Sequence, residues 1–260
     1  MTRVIVVTSG KGGVGKTTVT ANLSTALAHL GKRVLAIDAD IGLRNLDMIL
    51  GLENRIVYDI VDVVEGRVPP EKAFVKDKRG YSLHLLPAAQ TKDKEAVNAE
   101  QMMDIVEAVK DEFDYILIDS PAGIESGFKT AAAPATEALV VVNPEVSSVR
   151  DADRIIGLLE SMEKEDIKLI VNRIRLKQVK KGEMLSVEDI EEILQIPKVG
   201  IIPDEEKMVD YTNKGEPIVL ESNSTSGTAL MNVAKRLEGF DVPFNELEEK
   251  KSFFTKIFRR

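Results

Sequence analysis

The sequence predicts one α/β domain, a mostly parallel twisted sheet flanked by helices, with a short amphipathic tail appended. Three observations carry that prediction. Short β-branched apolar runs alternate with amphipathic stretches of helical period, the pattern of parallel strands joined by crossover helices. A glycine-rich loop follows the first run and opens a helix. No long linker or low-complexity tract interrupts the sheet-forming part of the 260 residues, so a length compatible with one large domain or two small ones reads as one.

The runs at 3–8, 33–38, 82–87, 115–119, 138–143, 168–172 and 198–202 are the expected strands. Between them, residues 99–112 place Met102, Met103, Ile105, Val106 and Val109 at helical spacing, with the methionines as core filling. Residues 149–162 do the same with Ile155, Ile156, Leu158 and Leu159. In open sheets of this kind ligands bind beyond the carboxyl ends of the strands, so chemistry is sought in the loops that follow them.

Composition narrows the function classes. A chain 43% hydrophobic and 30% charged buries enough apolar surface to offset the entropy of ordering. Absence of Cys removes disulfides, thiol catalysis and thiolate-held metals. The formal net charge of −8 opposes a DNA-binding surface over the whole body, and no nucleic acid is expected as a partner. Val4 to Val7 is too short for a signal-peptide core, and no apolar run approaches the ~18–20 residues that span a bilayer, so a cytoplasmic chain is expected.

Directly after the first strand stands Gly10-Lys11-Gly12-Gly13-Val14-Gly15-Lys16-Thr17-Thr18, a G-x-x-x-x-G-K-[ST] loop between strand and helix. Glycines let consecutive N–H groups turn inward around phosphate, and the helix N-terminus adds partial positive charge. Lys16 neutralises the β/γ-phosphates and the Thr17 hydroxyl completes a Mg²⁺ shell. Lys11 is a second lysine at the rim of the loop. It either stands as a solvated charge or reaches a nucleotide held by another subunit. The strand at 33–38 ends in Asp38-Ala39-Asp40, that at 115–119 in Asp119-Ser120-Pro121-Ala122-Gly123, and another in Asn172-Arg173. One such Asp is ordinarily a turn former or cap. Three strand ends converging on one phosphate loop point to a P-loop NTPase site.

These residues resemble the deviant-Walker-A ATPases, the ParA/MinD family, and the resemblance covers residues 1 to about 240. Ile37 to Asp47, Ile118 to Glu125 and Ser147 to Arg154 are most similar to its division-site branch. The resemblance implies a slow Mg²⁺-dependent ATP hydrolase gated by dimerisation. Lys11 takes the role of the signature lysine completing the partner subunit's site, Lys16 that of the P-loop lysine, and Thr17, Asp38 and Asp119 those of groups at the metal. Asp40 matches the residue that positions the attacking water, Asn172 the adenine contact, and Pro203 the position where the base packs. It also implies a MinC-like division inhibitor docking near Arg150, Asp151 and Asp153, and a MinE-like activator. A ParA-like DNA-partition ATPase, a flagellar-number regulator and a nucleotide sensor without turnover stay open as alternatives.

After a linker at 241–249, residues 250–260 carry five of the chain's 35 cations and none of its 43 acids. Wound as a helix, Phe253, Phe254, Ile257 and Phe258 share an arc of roughly 140°. Lys256 and Arg259 lie outside it, and Lys250, Lys251 and Arg260 complete the basic set. Amphipathic and basic together indicate a membrane-surface helix, and the family's division-site branch ends in such a sequence. Each buried apolar side chain contributes ~1.5–3 kcal/mol and each cation near an anionic leaflet ~1, against ~1–2 per residue for ordering the backbone. A single tail therefore binds weakly, and two tails on one dimer gain through effective concentration. The expected location is cytoplasmic, reversibly on the inner face of the cell membrane.

Overall fold

A computed structural model describes residues 1–164 and 166–244. Eight strands among them form one sheet: β1 (Arg3–Thr8), β2 (Val34–Asp38), β3 (Val75–Lys76), β4 (Leu83–Leu86), β5 (Tyr115–Asp119), β6 (Glu137–Val142), β7 (Asp166–Ile174) and β8 (Lys198–Pro203), in the order β3-β4-β2-β5-β1-β6-β7-β8. All pairings are parallel except β3 with β4. The seven expected strands are present. β3, two residues at the antiparallel edge, lies outside the expectation because so short a segment shows no periodicity.

Strand side chains alternate between two cores, as a pleated sheet covered on both faces requires. Val4, Val6, Leu35, Ile37, Ile116 and Ile118 face one layer; Ile5, Val7, Val34, Ala36, Tyr115 and Leu117 face the other. In chain order the helices are α1 (Lys16–His29), α2 (Leu46–Leu50), α3 (Ile60–Val64), α4 (Pro70–Ala73), α5 (Ala99–Val109), α6 (Ser126–Ala132), α7 (Val146–Ser161), α8 (Leu176–Lys180), α9 (Val187–Leu194), α10 (Lys207–Asn213) and α11 (Thr225–Leu237). The first core is covered by α3, α5, α6, α7 and α9, the second by α1, α2 and α11.

α5 and α7 occupy the two stretches expected as amphipathic helices, with one correction. Met102 is fully buried but Met103 is 44% exposed, because adjacent helical residues diverge by about 100° and only one of the pair can face the core. The central β1 runs straight into the phosphate loop, and parallel pairing brings the ends of β2, β5, β6, β7 and β8 to the same rim. Among the described residues no helix is long and apolar enough to cross a membrane. The tail at 250–260, with Lys250, Lys251, Phe253, Phe254, Lys256, Ile257, Phe258, Arg259 and Arg260, lies outside the described residues, as does most of the linker.

Candidate nucleotide site

The loop from Gly10 to Gly15 ends with Gly15 at φ +99°, a left-handed conformation that L side chains strain to adopt. A methyl group there would also stand 2.4 Å from Asn172 Nδ2. That amide donates to the Val14 carbonyl at 2.7 Å, so the end of β7 braces the loop from behind. On the other flank, Gly10 packs so closely against α7 that a Cβ would meet the Asp151 carbonyl oxygen at 2.2 Å. Gly123 N donates to the Ser9 carbonyl at 3.3 Å, laying the loop after β5 beside the phosphate loop.

Lys16 opens α1 with 7% of its surface exposed. Burial lowers its pKa, and the charges of Asp119 and Asp40 resist that shift. Asp38 and Asp119 are direct neighbours in the register of β2 with β5. Both are almost fully buried. Both carboxyls are pushed above the usual Asp range, first by desolvation. The Asp40 charge adds to the rise at Asp38, and the Asp38 charge to that at Asp119.

Their partners differ. Asp38 accepts backbone N–H bonds from Asp40 (3.0 Å), Asn45 and Leu46 (both 3.1 Å), and so shapes the loop between β2 and α2. Asp119 has the Thr20 hydroxyl at 3.0 Å, and bonds to Thr17 and Thr20 and the Lys16 charge favour its ionised form. Two adjacent carboxylates beside a threonine hydroxyl and a phosphate cradle suit a hard divalent cation, which relieves the repulsion that the protein alone leaves in place.

The second lysine of the loop points elsewhere. Lys11 Nζ lies at the rim, 41% exposed, 2.9 Å from Glu145 and 3.1 Å from the Ser147 hydroxyl at the start of α7. Beside the loop a cavity of about 350 Å³ is lined by Gly15, Thr18, Asn172, Arg173, Pro203, Met208 and Val209, among others. Asn172 and Pro203, from different strands, meet there as the sequence suggests. Asn172 turns its Nδ2 to Val14, however, and its Oδ1 accepts from Arg173 N at 3.0 Å, so as seated it braces the loop. Arg173 sits at φ +58° where β7 departs from regular pairing with β8. Of Arg150, Asp151 and Asp153 on α7, the first and last are exposed and Asp151 backs onto Gly10.

Sequence reasoning missed Thr20, which no motif singles out although it stands one turn after Lys16 on the same face. It also missed Glu145 and Ser147 as the resting partners of Lys11, and Met208 and Val209 as cavity walls. The last two come from α10, whose position depends on tertiary packing alone.

Comparison with known proteins agrees with this geometry. The model of the CobQ/CobB/MinD/ParA nucleotide binding domain matches residues 5–218. The septum site-determining protein MinD of Synechocystis sp. is 60% identical over 245 residues, covering 94% of this chain and 92% of that protein. Among solved structures, the MinC:MinD cell division protein complex of Aquifex aeolicus is similar at TM-score 0.88 and 63% identity, over 94% of this chain and 98% of that one. Pyrococcus horikoshii MinD complexed with Mg-ADP is similar at TM-score 0.83 and 30% identity, over 92% and 96% of the two chains. A buried P-loop lysine beside paired strand-end carboxylates, a second lysine at the loop's rim and these relatives along nearly the whole length place the chain in the MinD group of the CobQ/CobB/MinD/ParA nucleotide-binding ATPases.

Proposed function

We propose that this chain is a membrane-associated, Mg²⁺-dependent ATPase that dimerises on ATP and recruits a MinC-like division inhibitor to set the division site. The observation that carries the reading is the divergence of two lysines within one loop. Lys16 is buried, with the charges of Asp119 and Asp40 acting on it, whereas Lys11 rests at the rim on Glu145.

Phosphoryl transfer is driven by positioning and charge, with little covalent work for the protein. The N–H groups of Gly12 to Thr18 hold phosphate oxygens, and Lys16 offsets the charge that builds on them. Mg²⁺, when bound, would supply further positive charge. Among the described residues no group of three or more Asp, Glu or His side chains gathers for a metal. Thr17 and Asp119 would hold the ion together with the nucleotide, and Asp38, which fixes the following loop, would add its charge. Asp40 orients the attacking water. Asn172 and Pro203 border the base, with Asn172 needing to release Val14 before its amide meets a purine edge. Lys11, freed from Glu145, supplies the last positive charge to the partner subunit's nucleotide.

The tail at 250–260 anchors the dimer to anionic lipid, and Arg150, Asp151 and Asp153 contribute to the docking surface for the inhibitor. The complex of the Aquifex relative with MinC supports that partner. A MinE-like activator would act on the same dimer.

Lys11→Ala tests the reading. The Lys11–Glu145 pair is a surface ion pair worth about 0–1 kcal/mol, so the variant should melt with the wild type. It should nonetheless remain monomeric by light scattering with ATP and Mg²⁺, and lose turnover. Wild-type dimerisation and hydrolysis in that variant would defeat the proposal.

A further inference from the structure

Two glycines far apart in sequence meet backbone to backbone beside the site. Gly51 ends α2 at φ +67° and Gly215 follows α10 at φ +63°. A methyl group on Gly215 would stand 2.5 Å from Gly51 Cα, 3.0 Å from Gly51 N and 3.1 Å from the Met48 carbonyl oxygen. One on Gly51 would stand 2.5 Å from the Gly215 carbonyl oxygen. Backbone cannot swing aside as a side-chain end does, so the ends of the two helices are in contact with no slack.

What each helix carries gives the contact its meaning. α10 supplies Met208 and Val209 to the wall of the cavity beside Gly15 and Asn172. At the other end of the chain of contacts, α2 begins where Asp38 accepts the Asn45 and Leu46 N–H groups. Arg44 and the buried Asp47, paired at 2.8 Å, tie the Asp40 loop to the same helix. Base cavity, α10, Gly215, Gly51, α2 and the Asp38–Asp40 loop thus form one continuous series of packed elements.

We propose that Gly51 and Gly215 are positioning residues for ATP hydrolysis: their contact transmits occupancy of the base cavity to the loop holding Asp38 and Asp40. The proposal rests on the reading that this cavity takes the base and that this loop serves the attack. Filling the cavity sets α10, α10 sets α2 through the glycine contact, and α2 sets the carboxylates. The contact binds nothing itself, so its loss acts on turnover more than on nucleotide affinity.

Gly66 supplies the control, since it lies at φ +70° with open space around it. Gly66→Ala and Gly215→Ala incur the same left-handed strain, and only the second breaks a contact. Turnover, ADP affinity by calorimetry and Tm are compared for the wild type, both variants and Met208→Ala. Gly66→Ala should keep the wild-type kcat. Gly215→Ala should lower kcat by roughly tenfold or more, since small misplacements of reacting groups have effects of that size. Its ADP affinity should stay within about threefold of wild type, while its Tm should fall below that of Gly66→Ala because backbone must shift to admit the methyl. Met208→Ala should lower kcat as well as affinity, and its effect on kcat should vanish when combined with Gly215→Ala.

An unchanged kcat in Gly215→Ala, or a fall in step with ADP affinity, overturns the proposal. If Gly215→Ala does not fold, Met208→Ala decides: a raised KM with wild-type kcat overturns it. Failure of the nucleotide reading would show differently, as wild-type protein that neither binds ADP nor hydrolyses ATP.

Discussion

Asp38 and Asp119 stand side by side on β2 and β5, and without a cation they work against the fold. Both hold protons more tightly than in an unfolded chain, chiefly because burial penalises their charge. For a carboxyl whose folded pKa is raised, the favourable contribution is present below the unfolded value and lost as pH rises through the folded one. Nucleotide-free protein in EDTA should therefore lose stability between about pH 4 and about pH 7, with part of that slope due to this pair. Asp119→Asn should flatten the slope and raise Tm at the upper end by a few degrees, at ~2–4 °C per kcal/mol for a chain of this size. The same variant should lose the extra stabilisation that Mg-ADP gives the wild type. Thermal melts across pH, with and without Mg-ADP, check both parts. A more stable but non-binding variant marks a site that gives up stability for chemistry. Asp119 is legible in the sequence because a carboxylate at a strand end beside a phosphate loop has few other uses. Thr20 is not, because a threonine inside a helix looks the same whether it bonds its own backbone or a buried carboxylate across the sheet.

At the scale of elements, α1 does two tasks, presenting Lys16 at its start and filling the second core along its length. Eleven of its residues are buried, several of them polar. Two of those polar groups find partners locally: Thr25 donates to the Ala21 carbonyl at 2.8 Å and Asn22 Nδ2 to that of Thr18 at 2.8 Å. Asn22 Oδ1 also accepts from Val219 N at 2.9 Å, fastening the segment before α11 to the phosphate-loop helix. Asn22→Ala would leave that buried N–H unpaired and should destabilise the protein by about 1–3 kcal/mol, read by urea denaturation with an unchanged m-value. The strands are legible because burial on both faces demands continuous β-branched runs. β3 is not, since two edge residues carry no pattern, and neither is the outward turn of Met103. The role of α10 as a wall of the cavity arises from its packing on α2 and the Gly51–Gly215 contact, which no local signal reports.

At the scale of the whole molecule, the chain divides its charge. Its body carries all 43 acids, and residues 250–260 carry five cations with four large apolar side chains. This asymmetry is plain from residue order alone, and the phosphate loop with its strand-end partners marks the site in the same way. What residue order does not show is the resting place of Lys11 on Glu145, a meeting of residues 134 apart that only the parallel order of β1 and β6 brings about. On the proposed mechanism, dimerisation moves Lys11 to the facing nucleotide and doubles the number of tails. On the same mechanism one tail would bind weakly, and doubling the tails would convert nucleotide state into membrane attachment. The most direct test is co-sedimentation of the full chain and of residues 1–249 with anionic liposomes, in ATP and in ADP. Only the full chain with ATP should pellet with the vesicles, and neutral lipid should weaken the effect. Equal binding in ATP and ADP, or ATP-dependent binding that survives removal of residues 250–260, would overturn the mechanism.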